Sequence, residues 1–386
     1  MICFISSSSF VVNYDSGHQC KSIQRDSMRQ KFYIHIGMGK TGTSSIQTFF
    51  DVNRDAFKRR GVYYPITSRV NHAHLICNND FERISLKKQI FNWKKLIREG
   101  KKSSCEKVVI SCEMLAHLPE QSDIFQIAEL FAGEDVTIVC YIRRIDTLLQ
   151  SQYVQGLKRG AYLYTPDEYV SLLKGRRMLT LDWWAEAFGD ENVILKPFEK
   201  SALKGDLVED FLDCLGEKLH PEYERIKSSN ISPKGETLAA MIEVTRMVKA
   251  GLLDPDEGKY LNRSLQEMSH LFSWSKKRIQ LFSREQILSS YRAYEPKYKE
   301  FARRFLGRRD GVLFQEPLVL KDASSEEDLQ LDREALLRLL LGAQLSHRKA
   351  LRSMPRRLPR YYFEKVMEKC LSFVGGEFKA RPLEKD

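Results

Sequence analysis

The sequence predicts an α/β protein in which helices cover a parallel sheet, and three observations indicate this class. Short apolar runs alternate with longer segments of helical periodicity through the first half of the 386-residue chain. The most apolar run, residues 136–142, is rich in β-branched side chains and is typical of a strand buried on both faces. Polar residues follow several predicted strands, at the edge where open parallel sheets bind their ligands.

The strands are predicted from alternation and from their flanking residues. In the first, Phe32, Ile34 and Ile36 alternate with Tyr33 and His35, and the run ends at a glycine. The other strand segments are 61–65, 107–113, 136–142 and 192–198. Between the last two, one helix is predicted to begin near residue 146 and another to end at a glycine, residue 189.

The first strand leads directly into a loop that combines glycines, hydroxyl groups and a single lysine. Glycines let a backbone turn sharply and approach an anion, and the first N–H groups of a helix donate hydrogen bonds to it. The lysine adds a positive charge. The predicted anion-binding residues are Gly39, Lys40, Thr41, Gly42, Thr43, Ser44 and Ser45.

The spacing of this loop differs from that of ATP- and GTP-binding loops. Those loops require a glycine five residues before the glycine that precedes the lysine, and here that position is Ile34. The Lys-Thr-Gly-Thr-Ser pattern after a strand resembles instead the 5′-phosphosulfate loop of sulfotransferases that use 3′-phosphoadenosine 5′-phosphosulfate (PAPS). In that family the lysine contacts the phosphate and the bridging oxygen of the leaving group. Many members have proline where this chain has Gly39.

A second motif extends the resemblance. The family binds the 3′-phosphate of PAPS with an arginine at the end of a strand and a serine eight residues later. Arg143 and Ser151 have this spacing, and Tyr153 follows. Many relatives have proline where this chain has Ile145, and the Arg-Arg-x-Asp form resembles the bacterial branch. A guanidinium group is suited to binding a phosphate through two hydrogen bonds. The resemblance as a whole covers about residues 30–318.

The resemblance implies a fold and a reaction. The expected fold is a three-layer, P-loop-type parallel sheet flanked by helices, with a helical C-terminal extension. The expected reaction transfers a sulfuryl group from PAPS, as co-substrate, to an acceptor hydroxyl of a carbohydrate or lipid-linked glycan, without a metal. Two alternatives stay open, a P-loop kinase of a small molecule and a non-catalytic protein that keeps the sulfotransferase fold.

Three residues are candidates for the base that takes the acceptor's proton, because sulfotransferases use His or Glu for this role. His72 is preferred over His74 because it fits the His-x-x-Leu spacing associated with the bacterial branch. Glu113, at the end of the third predicted strand, is the rival, either as base or as a carboxylate that positions the acceptor. His35 and His117 are expected to be structural.

Composition limits the remaining possibilities. The net charge of +11 suits an anionic ligand, and the chain has no recognisable nucleic-acid-binding motif, so no nucleic-acid partner is expected. The eight cysteines form no Cys-x-x-Cys pair, which favours buried thiols of a reducing, cytoplasmic compartment over a disulfide framework or a zinc site. No apolar run reaches the length of a membrane span.

The chain divides into three predicted parts. Residues 1–27 are Ser-rich and patternless, and are expected to be a disordered or mis-assigned N-terminal extension before a sulfotransferase-like domain at 28–318. Residues 319–386 are expected to be a linker followed by a basic helical extension. That extension could contact a membrane surface or an acidic acceptor, although docking on the main domain is the preferred interpretation.

Overall fold

The computed structural model describes most of the chain between residues 30 and 325. The described residues are 30–67, 69–70, 73–74, 86–159, 164–173, 180–225, 233, 235–271 and 279–325. The predicted N-terminal extension at 1–27 lies outside them, as does the C-terminal extension after residue 325.

The centre of the fold is a five-stranded, entirely parallel sheet. Its strands are β1 (Lys31–His35), β2 (Val62–Tyr63), β5 (Lys107–Ser111), β6 (Asp135–Ile142) and β7 (Val193–Pro197). They lie in the order β2-β5-β1-β6-β7. A separate antiparallel pair is formed by β3 (Arg69–Val70) and β4 (Ala73–His74). The five strands of the sheet coincide with the five segments that the sequence predicts.

The register of the sheet brings the ends of three strands together. Residue 31 of β1 lies beside residue 107 of β5 and residue 135 of β6, and β1 pairs with both strands in parallel. Because the carboxyl ends of parallel strands meet at one edge, the segments that follow β1, β5 and β6 are neighbours there.

Helices connect the strands and continue after them. Their bounds are α1 (Thr43–Val52), α2 (Arg54–Arg59), α3 (Leu86–Lys102), α4 (Gln121–Leu130), α5 (Ile145–Arg159), α6 (Pro166–Leu173), α7 (Leu181–Phe188), α8 (Leu207–Cys214), α9 (Gly235–Lys249), α10 (Pro255–Leu271) and α11 (Arg284–Leu306). Short 3-10 helices occupy Glu113–His117 and Asp190–Asn192. As the sequence predicts, α7 is followed by a glycine with positive φ, Gly189.

The two faces of the sheet pack against different helices. Alternate residues of the strands, such as Tyr33, belong to an apolar cluster with α1, α2 and α8. On the opposite face Phe32 contacts Phe131 just after α4, and Phe131 in turn contacts Trp93 of α3. Helices therefore cover both faces, which confirms the predicted α/β class. The connection that follows β1 covers one face of the sheet, whereas α4, which follows β5, covers the other. Open parallel sheets form a ligand-binding crevice where two such connections diverge, which here is beside β1.

The chain separates into two compact units. The first contains the sheet and the residues up to 155, together with 164–231 and 280–324, and the second contains 156–163, 232–279 and 325–386. In the described part of the second unit, α9 and α10 pack against each other. The predicted domain at 28–318 contains residues of both units. Among the described residues, no helix is long and apolar enough to cross a membrane.

Candidate functional site

The loop between β1 and α1 is held in a fixed shape by its own backbone and by two neighbouring elements. The N–H of Met38 donates to the carbonyl of Tyr141 in β6 at 3.2 Å. The hydroxyl of buried Thr41 donates to the carbonyl of Met38 at 2.6 Å. Of the four predicted hydroxyls, that of Thr41 is therefore engaged within the loop, whereas Ser44 and Ser45 are exposed.

Two of the loop's residues, Lys40 and Gly42, have left-handed backbone conformations. Gly42, which precedes α1, has a φ of 77°, and a Cβ atom at that position would lie 2.3 Å from a methyl carbon of Leu207. Gly39 differs, because its φ is not in the left-handed region and a Cβ atom there would meet nothing within 4 Å. The chain therefore requires glycine at residue 42 but leaves open space at residue 39, the position where many sulfotransferases have proline.

Lys40 is the non-glycine residue with positive φ in this loop, at 70°. Such a conformation costs roughly 1–3 kcal/mol and persists where the surroundings enforce it. Here the enforcing contact comes from β6, because Nη1 of Arg143 donates to the carbonyl oxygen of Lys40 at 2.8 Å. The Lys40 ammonium group lies 3.4 Å from Oε1 of Gln155 on α5.

Arg143 follows β6 and joins the ends of three elements. Its Nε donates to the Thr147 hydroxyl at 3.1 Å, and its guanidinium carbon lies 5.7 Å from the centre of the Phe198 ring after β7. Burial lowers the pKa of Arg143, and the nearby carboxylate of Asp146 opposes this shift. The group nonetheless stays charged, and these bonds use only part of its five-donor capacity. A partly buried cation with donors to spare is suited to binding an anion.

One face of α5 runs past both cations. Thr147 contacts Arg143, Gln155 contacts Lys40, and Ser151 lies midway between them in sequence. Residues four apart stack on the same face of a helix, so Ser151 belongs to the row that Thr147 and Gln155 define. The predicted residues Lys40, Arg143 and Ser151 are thus brought to one location, although they lie on three different elements.

The other neighbour of β1 carries a chain of hydrogen-bonded polar side chains. After β5, the half-buried carboxylate of Glu113 accepts a hydrogen bond from Nε2 of Gln47 at 2.9 Å. The same Nε2 donates to the hydroxyl of Ser111 at 3.2 Å, and that hydroxyl lies 2.8 Å from Nδ1 of His35. Burial lowers the pKa of fully buried His35 to about 3, so its ring is neutral, in agreement with the structural role expected for it.

His74 is fixed through both of its ring nitrogens. The backbone N–H of Ser111 donates to Nδ1 at 3.0 Å, and Nε2 donates to the carbonyl of Pro65 at 3.0 Å. The ring is fully buried and stacks edge-on against Tyr64. Accepting a proton at Nδ1 would break the bond from Ser111, so this geometry argues against His74 as the base. His72 lies outside the described residues.

Adjacent Arg144 has a purely structural environment. Its guanidinium forms two bonds of 2.9 Å with the carboxylate of Asp146 and also donates to the carbonyls of Glu316 and Pro317. It is buried and fixes the segment after α11 against the start of α5. Only the first arginine of the Arg-Arg pair is therefore available to a ligand.

Three positioning residues were missed by sequence reasoning, namely Gln47, Thr147 and Gln155. Each contacts a predicted site residue, but the side chains involved are common on helix surfaces. Thr147 and Gln155 could have been found as the residues four before and four after Ser151 on a predicted helix. Gln47 carries no such signal, because its partner lies 66 positions away.

The site shows no cluster suited to a metal ion. Within the part of the chain that the structure describes, no three His, Cys, Asp or Glu side chains are grouped as metal ligands would be. A scan against protein-family models and a search of curated proteins found no match to this chain.

Proposed function

We propose that the protein is a PAPS-dependent sulfotransferase that transfers a sulfuryl group to an acceptor hydroxyl. The observation that carries this proposal is the hydrogen bond between Arg143 and the carbonyl of Lys40, with Ser151 on the adjoining helix face. Two motifs more than 100 residues apart, each resembling one phosphate-binding half of the sulfotransferase cofactor site, meet at one edge of the sheet.

The loop and Lys40 are assigned to the phosphosulfate end of PAPS. The N–H groups of Ser45 and Ile46 donate to the carbonyl of Gly42. The two N–H groups that precede them at the start of α1, together with the positive end of the helix dipole, favour an anion at this position. The Lys40 ammonium would stabilise the negative charge that develops on the leaving group during transfer. The left-handed backbone of Lys40 is a local strain of the kind that functional sites retain.

Arg143 and Ser151 are assigned to the 3′-phosphate. The guanidinium has donors left after its bonds to Lys40 and Thr147, and the serine hydroxyl lies one helical turn beyond Thr147. Together they would form a second phosphate-binding position beside the loop, as a ligand with two phosphate groups requires. The fit of these residues to PAPS supports a P-loop-type sheet as the finer description of the fold.

Glu113 is the residue among those described that we assign to the acceptor side. It follows β5, the strand beside β1. Its carboxylate is oriented by Gln47 on α1, the helix that follows the anion-binding loop. A carboxylate held in this way can accept the hydroxyl proton or fix the hydroxyl's direction. His72 remains the competing prediction for the base, and the expected acceptor remains a carbohydrate or glycan hydroxyl.

Calorimetric titration tests the proposal. The protein should bind 3′,5′-phosphoadenosine and should show much weaker binding of ATP with Mg²⁺. The reverse order of affinities would support the small-molecule kinase alternative and overturn our proposal. Binding of 3′,5′-phosphoadenosine without sulfuryl transfer from PAPS to any hydroxyl in a broad carbohydrate panel would favour the non-catalytic alternative.

A further inference from the structure

The exposed face of α3 carries a dense group of positive charges. From residue 90 onward, where the side chains of α3 are described, five basic side chains are exposed, and together with one exposed phenylalanine they form what we call the α3 basic face. Its residues are Phe91, Lys94, Lys95, Arg98, Lys101 and Lys102. At 100° per residue these six positions fall within one third of the helix circumference, over a length of about 16 Å.

The buried side of α3 holds this face rigidly. Trp93 and Leu96 are fully buried, and Gly100 allows the helix to approach the sheet closely, since a Cβ atom there would lie 3.0 Å from Val108 and 3.1 Å from Phe32. The basic side chains therefore stand on a preformed surface rather than on a segment that must fold when it binds.

Acidic side chains do little to neutralise this surface. The one acidic residue of α3 is Glu99, and its carboxylate is turned toward the segment after β2, where it accepts bonds from the Tyr63 hydroxyl and the backbone of Ile66 and Thr67. Those hydrogen bonds lower the pKa of Glu99 against the opposing effect of burial. Among the described ion pairs of the basic face, Lys101 alone has a carboxylate partner, Glu134 at 2.5 Å.

Phe91 distinguishes the face from an ordinary solvated charge cluster. Its ring is 56% exposed, and the Lys95 ammonium lies 4.5 Å from the ring centre. An exposed aromatic ring among lysines matches the boundary between lipid headgroups and acyl chains, where a ring can enter while the cations contact anionic headgroups. A sulfated or phosphorylated polyanion without bases would match the charges but has no apolar layer for the ring to enter.

We propose that the α3 basic face docks the protein on an anionic membrane surface. The proposal is independent of the sulfotransferase assignment, because none of its residues belongs to the site described above. It also differs from the expectation that the basic C-terminal segment contacts membranes, since α3 lies within the sheet-containing unit.

Vesicle co-sedimentation with the full chain tests this proposal. The protein should bind vesicles of phosphatidylcholine mixed with phosphatidylserine, should not bind phosphatidylcholine alone, and should lose binding as salt is added. The triple variant Lys94→Glu, Lys95→Glu, Arg98→Glu should bind the anionic vesicles roughly tenfold or more weakly. A matched control with the same change in net charge reverses three exposed cations elsewhere, Lys200→Glu, Lys218→Glu and Arg309→Glu, and should bind nearly as well as the unmodified protein.

Phe91→Ser separates a membrane from a soluble polyanion. This variant should lose vesicle binding while its retention on a heparin column stays unchanged, because only the membrane offers an apolar layer. Undiminished vesicle binding by the α3 triple variant, or equal losses in the two triple variants, would overturn the proposal. So would strong heparin or single-stranded DNA binding by a protein that ignores anionic vesicles.

Discussion

The two neighbours of β1 carry polar groups of opposite kinds. On the β6 side, Arg143 donates to the carbonyl oxygen of Lys40 and to the Thr147 hydroxyl, and these bonds use only part of its five-donor capacity. On the β5 side, a chain of hydrogen bonds runs from Nδ1 of His35 through the Ser111 hydroxyl and the Gln47 amide to the carboxylate of Glu113. A cation with unused donors is suited to an anionic ligand, whereas the β5 side offers a carboxylate and the neutral ring of His35, whose buried Nε2 has no hydrogen-bond partner among the described residues. The comparison assigns ligand binding to the β6 side and the presentation of one carboxylate to the β5 side.

Glu113→Gln is expected to have the largest effect. The substitution keeps the shape of the side chain and an oxygen that can accept the bond from Gln47, but it removes the charge and the ability to take a proton. Loss of general base catalysis typically lowers turnover by about 10²–10⁴-fold, with nucleotide affinity unchanged. The exposed residue Glu120, changed to Gln, is the control and should be fully active. An active Glu113→Gln enzyme together with an inactive His72→Ala enzyme would move the base to His72.

Lys40→Ala should lower turnover by about 10²–10³-fold, because an electrostatic contact to the developing charge is lost. Affinity for 3′,5′-phosphoadenosine should change much less, since the N–H groups at the start of α1 remain. Steady-state kinetics and calorimetry on the same preparation separate the two quantities, and Lys58→Ala, at an exposed position, serves as the control. Full activity in Lys40→Ala would mean that the loop is only structural.

The neutral, buried ring of His35 on the β5 side should affect how stability depends on pH. Because burial lowers the pKa of His35 to about 3, the unfolded chain takes up this proton at a higher pH than the native protein does. The free energy of unfolding should therefore fall as pH drops below the unfolded value of about 6.5, by up to ~1.4 kcal/mol per pH unit from this residue. In denaturant unfolding measured between pH 7 and pH 5, the free energy of unfolding of His35→Asn should depend less steeply on pH than that of the unmodified protein. Equal pH dependences would contradict a buried, neutral His35.

The loop on the β6 side can be tested with a pair of glycine substitutions. Gly42→Ala places a side chain in a left-handed conformation against Leu207, and should cost roughly 1–2 kcal/mol of stability and weaken nucleotide binding. Gly39→Ala, three residues earlier in the same loop, meets open space and should leave stability unchanged or slightly raised. Thermal unfolding in the presence and absence of 3′,5′-phosphoadenosine compares the two. Equal effects would mean that the loop shape is not the constraint described here.

The sequence predicted those features that depend on local pattern. Alternating or continuous apolar runs located all five strands of the sheet, and the predicted parallel arrangement then put Lys40, Glu113 and Arg143 at one edge. Whether a particular side chain is open or engaged depends instead on residues distant in the chain. The spacing to Ser151 singled out Arg143, but nothing local in the sequence shows that Arg144 is engaged by Asp146 and by carbonyls more than 170 positions away.

The candidates for the base show the same limit. The spacing around His72 and His74 contained no sign that Nδ1 of His74 accepts a bond from the backbone of Ser111, 37 positions later. The second compact unit was likewise not predicted, because the helical pattern of 235–271 does not specify the elements against which those helices pack.

The central claim is that the cation at the end of β6 binds a 3′-phosphate. It is tested most directly by the ratio of affinities for 3′,5′-phosphoadenosine and 5′-AMP, measured by calorimetry in the unmodified protein and in Arg143→Ala. The ratio removes any general weakening that follows when the bond to the Lys40 carbonyl is lost, because both ligands share that effect. The unmodified protein should prefer 3′,5′-phosphoadenosine, and Arg143→Ala should lose about 1.5–3 kcal/mol of that preference, the usual contribution of a hydrogen bond to a charged group. Equal binding of the two nucleotides by the unmodified protein, or an unchanged ratio in Arg143→Ala, would contradict the assignment.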